Sequence, residues 1–170
     1  VMPIPDSSRP AAMQVARKLG IEYREGFHKN HYVGRTFIMP GQAVRKKSVR
    51  QKLNAMSSEF KGKHVLLIDD SIVRGTTSVK IVRMMYEAGA REVHMRISSP
   101  PIKHPDFYGI DTPEQKSLLA ATHTLEEMRD YIGVTSLAFL SVDGVYRAVG
   151  LPGRDSQRPQ FTDHCFTGDY

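Results

Sequence analysis

Residues 65–78, Val-Leu-Leu-Ile-Asp-Asp-Ser-Ile-Val-Arg-Gly-Thr-Thr-Ser, constrain the fold more than any other part of the chain. Four consecutive apolar residues without alternation describe a strand covered on both faces. Burying four such side chains contributes about 1.5–3 kcal/mol each before entropy is subtracted. The strand ends in two adjacent acids, Asp69 and Asp70. In an open α/β sheet, ligands sit just outside the carboxyl ends of the strands, so these acids stand where a site forms. Gly75 permits close backbone approach. Hydroxyls follow at Thr76, Thr77 and Ser78, and then a helix with apolar positions Val79, Val82, Met85 and Tyr86. The free N–H groups and dipole at that helix start attract an anion. Acids beside a phosphate cradle suit a ligand that carries phosphate, hydroxyls and Mg2+, and a sugar phosphate has all three. The plainer reading is that Asp69–Ser71 only cap and turn. A Walker A loop is absent, which argues against an ordinary P-loop NTPase.

The rest of the chain repeats the strand-then-helix order. Val1–Ile4 precedes a helix over 9–19, and Val65–Ile68 one over 77–88. Val93–Ile97 precedes two short helices, and Leu137–Leu140 one over 142–149. That alternation predicts an α/β fold, a mostly parallel open sheet with helices on both faces. Thr112-Pro113-Glu114-Gln115 reads as a helix start with Gln115 reaching back, and Thr124-Leu125-Glu126-Glu127 as a capping box. Gly89 and Gly150 sit where helices stop on a left-handed residue. Residues 1–150 read as one domain and 151–170, richer in Pro, Gly and charge, as an irregular tail. Val1–Pro5 reads as the end of a strand with nothing before it, which suggests a piece of something longer.

Composition narrows the partners. No apolar run reaches the length of about 20 residues that a membrane span needs, and no signal segment opens the chain. The single cysteine, Cys165, excludes an internal disulfide framework and fits a reducing, cytoplasmic setting. A net charge of +6 fits either a solvated surface with spare Lys and Arg or attraction of an anion. No aromatic-rich basic stretch suited to stacking bases is present and Trp is absent, so nucleic acid is disfavoured.

Ile68–Ser78 resembles the phosphoribosyl pyrophosphate (PRPP) motif of type I phosphoribosyltransferases. Pro5–Ser8, Lys29-Asn30-His31-Tyr32-Val33-Gly34-Arg35-Thr36-Phe37-Ile38 and Val49–Asn54 resemble the amidophosphoribosyltransferases in particular. Ser98–Pro101, Phe107–Asp111 and Cys165–Gly168 extend the likeness over nearly the whole chain.

The resemblance implies a type I phosphoribosyltransferase fold, with the family's N-terminal glutaminase domain and the first strand and helix of the transferase domain missing. It implies the first step of purine synthesis, in which ammonia from glutamine displaces pyrophosphate from PRPP to give 5-phosphoribosylamine. It places Asp69 and Asp70 on the ribose hydroxyls and Mg2+, with Ser7 completing the metal site. Ser71, Arg74, Gly75, Thr76, Thr77 and Ser78 would bind the rest of PRPP, its 5-phosphate above all. Lys29, Tyr32 and Arg35 would act from a catalytic segment over 28–42 that folds onto bound PRPP, and Lys52 would reach the pyrophosphate. Ser7 has a second reading as a cap of the helix containing Pro10. Arg45, Lys46 and Lys47 read as a solvated helix face, and His28 with His31 lacks a third metal ligand at suitable spacing.

His31 departs from the family, which commonly has Arg after Lys-Asn. Asp106 and Thr162 stand where some members carry iron–sulfur cysteines, so no cluster is expected. The resemblance further implies a homo-oligomer. Other readings are a base-salvage phosphoribosyltransferase and a non-catalytic PRPP-sensing regulator.

Overall fold

The computed structural model describes residues 1–29 and 53–170. Four parallel strands form one sheet in the order β1-β4-β5-β6: Met2–Pro3, His64–Asp69, Glu92–Ile97 and Ser136–Phe139. A separate antiparallel pair joins β2, Phe27–Lys29, to β3, Leu53–Ala55. Among the described residues the helices are α1 Arg9–Leu19, α2 Ser57–Phe60, α3 Thr76–Glu87, α4 Leu119–Thr122, α5 Leu125–Ile132, α6 Val142–Ala148 and α7 His164–Thr167. The expected α/β architecture is therefore present, with helices on both faces of a parallel sheet.

The two faces are covered unequally. On one, Val65 and Leu67 of β4 and Val93, Met95 and Ile97 of β5 pack under α3 and α5 through Ile81, Val82, Met85, Met128 and Ile132. On the other, α1 lies over β1 and β4, where Ala12 and Ala16 let its backbone approach Val1 and Ile68. Beyond β4 that face is partly open. β5 accordingly alternates buried and half-buried residues, with His94 and Arg96 on the open side, bonded to Ser136 at 2.8 and 3.0 Å. The unbroken apolar run thus marks a strand flanked on both faces.

Helix boundaries follow their local chemistry. The capping box at Thr124 forms in full, with Glu127 N–H donating to Thr124 Oγ1 at 3.2 Å and Thr124 N–H to Glu127 Oε2 at 2.7 Å. Gly89 and Gly150 adopt positive φ after α3 and α6, as expected. In α3 it is Ile81, rather than Tyr86, that joins Val82 and Met85 in the core; Tyr86 turns outward to Thr135. The helix start expected at Thr112 does not form. Only a 3-10 turn, Gln115–Ser117, follows, because Gln115 donates to the carbonyl of Lys103 and Thr112 Oγ1 accepts from Asp106 N–H.

Three features have no local signal in the sequence. The β2–β3 pair is anchored by Phe27 against fully buried Phe60, ring centroids 5.2 Å apart. Leu118 and Leu119 fill the core between the 3-10 turn and α5. Residues 151–170 carry α7 and are held to α6 by Asp163, which accepts from Tyr146 Oη at 2.8 Å and Arg154 Nε at 2.6 Å.

Asp163, Arg154 and Tyr146 are nearly inaccessible, the first two side chains being 7% and 12% exposed. Burial alone would raise the Asp163 carboxyl, but hydrogen bonds from Arg154, Tyr146 and Thr167 hold it below its ordinary range. Removing one partner strands the others, which costs about 3–5 kcal/mol for a buried ion pair. Asp163→Ala is expected to lower unfolding free energy by roughly that amount. Arg83→Ala, in an exposed i,i+4 pair with Glu87, should cost at most about 0.5 kcal/mol. Urea denaturation compares them. The Asp163 contribution is present above its unfolded pKa and is lost as pH falls through the depressed folded value, so the gap should close under acid conditions.

Candidate functional site

β4 delivers Asp69 as its last residue and Asp70 as the next, at the carboxyl end of the sheet. The strand end is pinned on both sides. Ile4 N–H donates to the carbonyl of Ile68 at 2.9 Å, and Ser98 N–H to that of Asp69 at 2.9 Å. Asp69 is half-buried and its Oδ1 accepts from Asp70 N–H at 2.9 Å and from Ser8 Oγ at 3.4 Å. Asp70 is exposed; its carboxylate accepts from the hydroxyls of Ser7 and Ser71, the latter at 3.0 Å. Burial, reinforced by the neighbouring charge of Asp70, pushes the Asp69 carboxyl up to about 7.

Ser7 therefore serves the acids rather than the helix. The residue before α1 is Ser8, and its side chain makes no cap hydrogen bond. The Pro5–Asp6 peptide just upstream is cis.

Gly75 precedes α3 at φ +73°, a conformation L side chains rarely adopt. A Cβ there would also lie 2.7 Å from Leu119 Cδ2 and 3.1 Å from Tyr131 Cε1. The backbone conformation calls for glycine, and a side chain would in addition press on Leu119 and Tyr131. No described side chain caps α3, so its first-turn N–H groups face the cleft beside the hydroxyls of Thr76 and Thr77, with Ser78 buried behind them.

Together these residues line a cleft of about 710 Å3 from Ile4 and Ser7 through Asp69–Ser78 to Asp111 and Pro113. Acids occupy one wall and an uncapped helix start the other. An anion suits the helix start, and a cation suits the paired acids. Two carboxylates and a hydroxyl are a sparse oxygen set of the kind a hard divalent ion accepts when substrate and water complete its shell. Among the described residues, no group of three or more His, Cys, Asp or Glu side chains could hold a metal ion unaided.

The structure thus gathers Ser7, Asp69, Asp70, Ser71, Arg74, Gly75, Thr76, Thr77 and Ser78 around one cleft. Lys29 ends β2, its backbone paired with Leu53. Tyr32, Arg35 and Lys52 lie outside the described residues, as do His31, Arg45, Lys46, Lys47 and most of 28–42. Asp111 and Pro113 line the cleft although the sequence did not mark them as site residues. The Phe107–Asp111 string stands out, but nothing local to it tells that the loop after β5 returns to the end of β4. Asp106, where the resemblance would put a cluster cysteine, instead bonds His164 Nε2 at 2.6 Å. Cys165 is partly buried, and burial pushes its thiol above the ordinary value.

Comparison with known proteins gives the geometry its relatives. Residues 1–98 match the model of the phosphoribosyl transferase domain. The amidophosphoribosyltransferase of Rhizobium etli is 57% identical across the whole chain, which covers 34% of that relative. The Bacillus subtilis enzyme of the same name is 53% identical over 98% of the chain, covering 35% of its own length. The chain thus spans about a third of these curated relatives. A solved glutamine PRPP amidotransferase from B. subtilis, complexed with ADP and GMP, superposes with a TM-score of 0.84 at 53% identity, over 99% of this chain and 37% of that one. By these matches the chain belongs to the phosphoribosyl transferase domain family, and the relatives named here, which share all or nearly all of its length, are amidophosphoribosyltransferases.

Proposed function

We propose that this chain supplies the PRPP site of an amidophosphoribosyltransferase, in which ammonia released from glutamine displaces pyrophosphate from PRPP and yields 5-phosphoribosylamine. One observation carries the reading: a pair of acids, Asp69 half-buried and Asp70 exposed, shares one cleft with an uncapped, hydroxyl-bearing helix start. A phosphorylated ribose matches both walls. Its 5-phosphate takes the N–H groups of α3 with Thr76, Thr77 and Ser78, and its ring hydroxyls donate to Asp69 and Asp70. Ser71, Arg74 and Gly75 shape the turn between the two walls.

Asp69, Asp70 and Ser7 would hold Mg2+. When bound, that ion neutralises charge growing on the leaving pyrophosphate. Bond breaking leaves positive charge on the ribose ring, so little covalent work falls to side chains. Positioning and fixed electrostatics do most of it. Lys29, Arg35 and Lys52 are proposed to meet the pyrophosphate, with Tyr32 on the same catalytic segment, on the strength of the strings that carry them. The same reading makes the enzyme cytoplasmic and homo-oligomeric, with no nucleic-acid partner. Among the described residues, no helix is long and apolar enough to cross a membrane.

Two outcomes are expected. Asp69→Asn and Asp70→Asn, measured by titration calorimetry in the full-length protein with Mg2+ and PRPP, should each weaken binding about tenfold or more, since a charged hydrogen bond contributes about 1.5–3 kcal/mol. Unchanged affinity in both variants would remove the ribose and metal assignments. The second outcome concerns pH. Asp69 titrates near 7 when folded and near 3.8 otherwise. Folding therefore takes up a proton between those values, and its contribution is complete below pH 3.8 and lost as pH rises through about 7. The unliganded protein should lose stability across that window, and Asp69→Asn should abolish that part of the loss in urea unfolding at pH 5 and pH 8.

A further inference from the structure

Asp111 reaches the cleft from a loop far from β4 in sequence, and the structure shows what holds it there. Asp106 Oδ1 accepts three backbone N–H groups, from Tyr108 at 2.9 Å, Gly109 at 3.0 Å and Ile110 at 2.9 Å. Its own N–H donates to Thr112 Oγ1 at 2.6 Å. Both neighbours of Asp111 in the chain, Ile110 and Thr112, are therefore tied to one residue. Those N–H bonds, that from Ile110 first among them, hold the Asp106 carboxyl below its ordinary range.

The other carboxylate oxygen, Oδ2, engages His164 Nε2 at 2.6 Å in a pair whose side chains are only 6% and 3% exposed. His164 opens α7, and its ring packs edge-on against Tyr108, centroids 5.0 Å apart. Further bonds fasten this segment to the start of the same loop. The Cys165 carbonyl accepts from the N–H groups of Lys103 and His104, and Tyr170 Oη donates to the Pro105 carbonyl at 2.8 Å. Asp163, next to His164, is locked onto α6 through Arg154 and Tyr146. A continuous chain of polar contacts thus runs from α6 to the wall of the cleft.

We propose that Asp106 and His164 are positioning residues for the site, fixing the 106–112 loop so that Asp111 and Pro113 line the cleft together with the β4 acids. The proposal rests on the PRPP reading above. A buried carboxylate satisfied by three N–H groups and one imidazole leaves the loop a single arrangement, and either partner alone would leave the other uncompensated. Residues that orient a binding group from behind it change affinity by about 10–100-fold.

The experiment is a double-mutant cycle in the full-length protein, reading PRPP affinity with Mg2+ by calorimetry and unfolding by urea. Asp106→Ala and His164→Ala are each expected to weaken binding about 10–100-fold. In an Asp111→Ala background the same substitutions should add nothing, because their effect passes through Asp111. Asp106→Asn, which keeps an oxygen for the N–H groups, should recover part of the affinity. Gly109→Ala gives an independent readout should Asp106→Ala fail to fold. Gly109 has φ +145° and open space where a Cβ would stand, so the substitution strains only the loop backbone, and weaker binding is expected. Affinity unchanged in the single variants, or losses fully additive with Asp111→Ala, would overturn the proposal. If the unsubstituted protein binds no PRPP, the reading of the cleft itself fails and takes the proposal with it.

Discussion

Two carboxylates side by side at the end of a buried strand are the constraint around which this structure is arranged. Water that would ordinarily screen them is partly excluded, and each charge opposes the other. Asp69 answers by holding its proton up to about 7, and the Asp70 backbone N–H with the hydroxyls of Ser7, Ser8 and Ser71 offsets part of the remaining cost. The strand tolerates this because three of its residues are so well buried. Val65, Leu67 and Ile68 have at most 2% of their surface exposed, so the acids end a segment anchored on both faces.

Across the cleft the sign reverses. α3 begins without a side-chain cap, leaving backbone donors unmatched where most helices recruit a Ser, Thr or Asp. A conventional cap would be simple to provide, with hydroxyls at the next residues. Instead Gly75 sets the helix at a left-handed turn and packs it against Leu119 and Tyr131. Local stability is forgone at both walls in complementary ways.

How much of this could be read in advance depended on range. The β4 run, the acids, Gly75, the hydroxyls and the Thr124 box are encoded within a few residues, and each appears where local chemistry puts it. That the sheet is parallel followed from alternation alone; its strand order did not. What escaped was encoded at a distance. β2 and β3 are three residues each, too short for a period to register, and exist because Phe27 meets Phe60. Thr112 and Gln115 carry the marks of a helix start, yet their polar groups are taken by Asp106 and Lys103. Tyr86 fitted the apolar stripe of α3 but lies one step round from the core, where Ile81 has the better angle. Asp111 belongs to the cleft only because a loop and a C-terminal segment fold over together. Its role in any binding is a matter of tertiary geometry that no local pattern carries.

The short β2–β3 pair has a consequence for how this fold tolerates change. Lys29 and Leu53 are register partners, so the backbone enters and leaves the intervening stretch at one fixed gate beside the sheet. A two-stranded pair only three residues long is marginal by itself, so its position is held by the contact between Phe27 and Phe60 rather than by its own ladder. Exchanging either ring for a small side chain would therefore unfasten both strand ends from the core at once.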